Sequence, residues 1–148
     1  MIEARRNFIA AVACAALALP LSVAAAEDTA TKMSGKERVV IQVSDADPQK
    51  WNLALNNAKN VQTDLGADKT EIEIVAYGPG IGMLKADAIV ANRVEDAVAA
   101  GVKVVACENT MKVQKITRDD MQKNVSYVAA GVVQLMRRQQ QGYAYIRP

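Results

Sequence analysis

Histidine is absent from this 148-residue chain. Without it no Ser-His-Asp triad, Cys-His dyad, zinc-histidine centre or histidine-ligated haem can be built. Aromatic residues make up only 4% of the sequence, so few platforms exist on which nucleobases could stack. Charge of one sign is also lacking: 18 Lys and Arg face 16 Asp and Glu, and no basic block exceeds a pair such as Arg137-Arg138. A nucleic-acid partner is therefore not expected. Cysteine occurs twice, at Cys14 and Cys107. The length suits one compact domain.

The N-terminus is organised for export. Arg5 and Arg6 supply a positive start, an alanine-rich apolar stretch runs from Phe8 to Val23, and Ala24-Ala25-Ala26 offers a small-residue cleavage site. Residues 1–26 are expected to be an export signal, removed before Glu27, after which no membrane association is expected. Arg5-Arg6-Asn7-Phe8-Ile9 resembles the twin-arginine pattern, so the route is either twin-arginine or general secretory, with the periplasm as destination. A lipid anchor on Cys14 is disfavoured by Ala11 in place of the usual leucine. Cleavage leaves Cys107 as a single thiol, which cannot form an intramolecular disulfide.

Residues 27–37 form a polar leader without periodicity, and residues 38–148 alternate short apolar runs with helical stretches and glycine stops. This pattern predicts an α/β domain, a three-layer α/β/α sandwich around a mostly parallel five-stranded sheet. Strands are expected at Val39–Val43, Glu71–Tyr77, Val102–Ala106, Val125–Ala130 and Tyr143–Ile146. Asp47-Pro48 provides an N-cap and a first-turn proline for a helix ending at Gly66, with Trp51, Leu55, Ala58, Val61 and Leu65 on its inner face. Further helices are expected over Val90–Ala100 and Gly131–Gln141, with a short turn at Met83–Ala86. Cys107 to Met111 reads as a loop, and Thr117-Arg118-Asp119-Asp120 as a helix start.

In open parallel sheets, ligands bind at the carboxyl ends of the strands. Three loops leave those ends: Ser44 to Asp47, Gly78-Pro79-Gly80-Ile81-Gly82, and Cys107 to Met111. Cys107 is the one obvious nucleophile that works near neutral pH without a histidine partner, and if the segment after it turns helical, exposed backbone amides and the nearby Lys112 would favour its thiolate. It can equally be a small buried hydrophobe. The glycine loop either approaches a ligand or the Cys107 sulfur closely, or simply makes a sharp strand-to-helix turn. Asn52, Asn56 and Asn60 form a polar stripe that reads as a solvated face, with a cleft or subunit contact as the alternative. Asp45 and Asp47 make a weak metal pair, the second being better used as a cap, so no metal or other cofactor is expected. Tyr143 and Tyr145 share one face of the last strand and read as edge packing.

Three segments together resemble the DsrE/DsrF-like proteins of sulfur metabolism. They are Tyr77-Gly78-Pro79-Gly80, Ala106-Cys107-Glu108-Asn109-Thr110-Met111, and the tail Ala130 to Leu135 followed by Gln141-Gly142-Tyr143-Ala144-Tyr145-Ile146-Arg147-Pro148. The resemblance implies that Cys107 accepts and passes on sulfane sulfur as a persulfide. Gly78, Pro79, Gly80, Asn109 and Thr110 are its implied surroundings. Its implied partners are small sulfur compounds or a donor or acceptor protein, and copies are implied to assemble as a trimer or hexamer. Tyr77 stands where relatives often have histidine, and sulfur-relay members are cytoplasmic whereas this chain carries an export signal. Two other readings stay open: a non-catalytic oligomeric binding or scaffold module with an inert Cys107, and a thiol redox sensor.

Overall fold

The computed structural model describes residues 35–148. The export signal, Cys14 and most of the polar leader lie outside the described residues. Five strands are present: β1 (Glu37–Val43), β2 (Thr70–Ala76), β3 (Lys103–Cys107), β4 (Ser126–Val128) and β5 (Ala144–Ile146). They pair in parallel in the order β4-β3-β2-β1-β5. Four α-helices connect them: α1 (Pro48–Leu65), α2 (Ala91–Ala99), α3 (Glu108–Gln114) and α4 (Gly131–Gln140).

The strand order fixes the layers. From β1 to β4 the chain moves steadily in one direction across the sheet, and right-handed crossovers place α1, α2 and α3 on the same face. The connection from β4 to β5 runs back past β1, so α4 falls on the opposite face. Side chains alternate accordingly. Val39, Ile41, Val43, Ile72, Ile74, Val104 and Ala106 point into a large core with Trp51, Leu55, Ala58, Val94 and Met111. The intervening Val40, Val75 and Val105 meet Leu135 and Tyr143 in a much smaller one, with Tyr77 and Val128 packed against it.

Helix α1 follows its signals closely: the Asp47 carboxylate accepts from the Gln49 N–H at 2.8 Å, and Gly66 ends it with φ +94°. Leu65, at core spacing, is nevertheless 46% exposed, because the helix outruns the sheet there. Glu37 already belongs to β1, so the strand starts inside the segment read as leader. The polar stretch after Cys107 is helical, and Thr117 to Asp120 is a single 3-10 turn closed by a reciprocal Thr117–Asp120 cap rather than the start of an α-helix. Those bonds from Thr117 hold the exposed Asp120 carboxyl below its usual range. The asparagine stripe is exposed at Asn56 and Asn60, as a solvated face would be, and half-buried at Asn52. The Arg93 guanidinium of α2 donates to the side-chain oxygens of Asn52 and Asn56, clamping α2 to α1, while Asn60 is exposed.

Candidate functional site

Cys107 is the last residue of β3 and the N-cap residue of α3. Its neighbour β4 leads into α4 on the other face, so β3 and β4 send their helices to opposite sides of the sheet. That divergence opens a crevice at the carboxyl edge, the place where such folds bind ligands. One backbone bond crosses it: the Asn109 N–H donates to the Ala129 carbonyl at 3.0 Å.

The sulfur is half of a compact polar arrangement. The first amide of α4, the Gly131 N–H, donates to Cys107 Sγ at 3.2 Å. Thr110 Oγ1 accepts from the Gly78 N–H at 2.9 Å, which leaves its own proton to donate to the sulfur. Burial pushes the thiol up, but the Thr110 hydroxyl, the Gly131 amide and the Thr110 and Asn109 amides together outweigh it and draw the Cys107 pKa below its ordinary value. The side chain is only 5% exposed.

Gly131 permits this geometry. A Cβ there would lie 3.0 Å from Tyr77 Cβ and 3.3 Å from Cys107 Cβ, so the helix start could not come as close. Replacing Gly131 with alanine is expected to lengthen the amide-to-sulfur bond and move the Cys107 pKa back toward that of a free thiol. Alkylation near neutral pH should slow roughly fivefold, the equivalent of about 1 kcal/mol of charge-assisted bonding. The pH profile of iodoacetamide labelling checks this, and an unmoved midpoint would show that the amide does not hold the thiolate.

The sequence-predicted residues divide by role. Gly78 and Thr110 meet, and Gln114 Nε2 also donates to the Gly78 carbonyl at 3.1 Å, so the glycine loop is tied to α3 beside Cys107. Asn109 contributes its backbone while its residue is exposed, and Pro79 is an exposed member of a 3-10 helix over Gly78–Leu84. Gly80 approaches β1 rather than the sulfur: a Cβ on it would lie 2.3 Å from the Val43 carbonyl oxygen. Asp47 caps α1 and Asp45 pairs with Lys50 at 3.2 Å. Gly131 and the packing role of Tyr77 were missed by sequence reasoning, because their sequence distance from Cys107 hides that β2, β3 and α4 converge. A cavity of about 410 Å³ lies elsewhere, between α1 and α2, with Leu55, Ala58, Lys59, Arg93, Asp96 and Val102 among its lining.

These features define a class: a parallel α/β protein that presents one thiol at the point where its topology switches faces. The chain belongs to the DsrE/DsrF-like family, whose model matches residues 37–148. That family membership points to a sulfur-relay-related function. Among solved structures, a protein of unknown function from Methanobacterium thermoautotrophicum is similar at 34% identity and a TM-score of 0.73, over 76% of this chain and 100% of that one. No curated protein matches.

Proposed function

We propose that Cys107 takes up sulfane sulfur as a persulfide and surrenders it to an acceptor, in a chain exported to the periplasm. The observation that carries this reading is the 3.2 Å approach of the Gly131 amide to Sγ, which favours a thiolate without any histidine base. The thiolate attacks the outer sulfur of a donor, the new S–S bond forms at Sγ, and the donor's own bond to that sulfur breaks. The donor departs with the electron pair as a thiolate or sulfite. An acceptor thiolate then attacks the terminal sulfur, and Cys107 leaves as a thiolate once more. The exposed apolar side chains Val132 and Met136, one turn apart on α4, support association of copies, and the family resemblance points to a trimer or hexamer.

Incubation with polysulfide or thiosulfate should raise the intact mass by about 32 Da, the increment of one sulfur, and Cys107→Ser should abolish it. Absence of an adduct with every donor sinks the proposal. The 5% exposure of Cys107 favours one rival, an inert buried thiol. That rival requires Cys107 to resist alkylation in the folded protein and to react freely once denatured.

A further inference from the structure

We propose that the cavity between α1 and α2 binds a small amphipathic zwitterion, a free amino acid with an aliphatic side chain. Its ammonium meets Asp96, its carboxylate meets Lys59 and Arg93, and its side chain lies on the apolar floor between the helices. The cavity reaches Val102, just before β3 begins, whereas Cys107 ends that strand. The proposal is therefore independent of the persulfide reading.

The cavity exists because two helices are held together at two levels and filled poorly between them. Crossovers of one hand between parallel strands make α1 and α2 run side by side in the same direction. At one level the Arg93 guanidinium donates to the side-chain oxygens of Asn52 and Asn56, the latter at 2.7 Å. At the other, Gln62 Nε2 of α1 donates to the Ala100 carbonyl at 2.8 Å. Between these ties the facing residues are small, Ala58 on α1 and Ala97 on α2. Their methyl groups leave a space of about 410 Å³, within the range of small-molecule sites. Leu55, Ala58 and Val102 are buried beneath it and make its floor apolar.

The charges on its walls select the ligand. The bond from Arg93 to Asn56 sets the register of the two helices. Three residues on along each, Asp96 of α2 and Lys59 of α1 come level with one another, and both line the cavity. Neither makes an ion pair among the described residues, and Arg93 meets amide oxygens rather than a carboxylate. The walls thus carry two cations and one carboxylate around an apolar floor. A simple carboxylic acid would be attracted by Lys59 and Arg93 and repelled by Asp96, and a simple amine would meet the reverse. A molecule with both charges on neighbouring atoms satisfies all three groups. An aliphatic side chain on that molecule then displaces water from Leu55, Ala58 and Val102.

Leucine is the probe, titrated into the folded protein and followed by calorimetry and by amide shift mapping. Saturable binding is expected with a Kd of about 1 mM or tighter, with shifts confined to residues 55–63 and 93–102. Isocaproate and isoamylamine keep the side chain and lose one charge each. Both should bind at least roughly tenfold more weakly, the loss of one charge-assisted contact, and glycine should do no better. Asp96→Asn and Lys59→Gln alter exposed side chains and should each weaken leucine by a similar factor at low salt. Unchanged urea midpoints establish that both variants are folded, and the ligand analogues test the unaltered protein in any case. Absence of saturable leucine binding, analogues that bind as tightly as leucine, or shifts centred away from the two helices would overturn the proposal. So would folded variants that hold leucine undiminished.

Discussion

Gly80→Ala is expected to cost about 3 kcal/mol or more of folding stability, in the upper range for forced overpacking. Its new methyl group would stand 2.3 Å from the Val43 carbonyl oxygen, 2.6 Å from the Val43 carbonyl carbon and 2.9 Å from Ser44 Cα. All of these are backbone atoms at the end of a central strand, so no side chain can turn aside to make room. The glycine loop and β1 must separate, and with them goes the Tyr77 N–H bond to the Val43 carbonyl at 3.1 Å. Gly101→Ala provides the comparison. That glycine has φ +89° with nothing within 4 Å of a built Cβ, so alanine there meets only the left-handed backbone penalty of about 1–2 kcal/mol. Urea unfolding of both variants measures the difference. If Gly80→Ala lowers the midpoint no more than Gly101→Ala, the close approach is not a constraint.

Arg138→Met is expected to cost about 3 kcal/mol, the lower end for removing one partner of a buried ion pair. Glu73 is 1% exposed under α4. Its carboxylate accepts from Arg138 Nε at 3.0 Å and Nη2 at 2.5 Å, and from Gln134 Nε2 at 2.5 Å, with Lys103 at 3.6 Å. Without the guanidinium a charged oxygen is left facing Gln134 and a half-exposed lysine. The Glu73→Leu/Arg138→Met double variant should recover most of the loss, since two apolar side chains leave no charge to solvate. A double-mutant cycle by chemical denaturation reads this directly. Additive losses in the cycle would mean that the two side chains are not energetically coupled. The same guanidinium lies 4.9 Å from the centre of the Tyr143 ring, whose phenol is pushed up to about 12 by burial and by its hydrogen bond to Glu71.

Local signals were readable and long-range ones were not. Asp47-Pro48 and Gly66 marked α1 because a cap, a fixed φ and a left-handed stop are properties of single residues. The strands showed as apolar runs because both faces of a parallel sheet are covered. Glu73 reads as an ordinary alternating polar residue of a half-exposed strand. Its burial depends on Arg138, which reaches it only after the chain has crossed back over the sheet. Helix α3 was not fixed by the local sequence because Asn109 and Thr110 are poor helix formers, and the bond from Gly78 to Thr110 that anchors it joins residues 32 apart. Cys107 was found by elimination and by family resemblance. Gly131, which supplies its amide, looked like the first residue of a helix and nothing more.

The two faces of the sheet differ in how firmly they are closed. The face under α1 and α2 holds an extensive apolar core, whereas α4 sets Leu135 on Val40, Val75, Val105 and Tyr143, with Tyr77 and Val128 beside them, and has one ionic anchor at its far end. A thin layer opens at lower free energy than the whole domain. Gly131 is the first residue of α4, so a motion that lifted α4 to bare Cys107 would also remove the amide that favours its charge. Access to the sulfur and its acid strength are therefore opposed by construction.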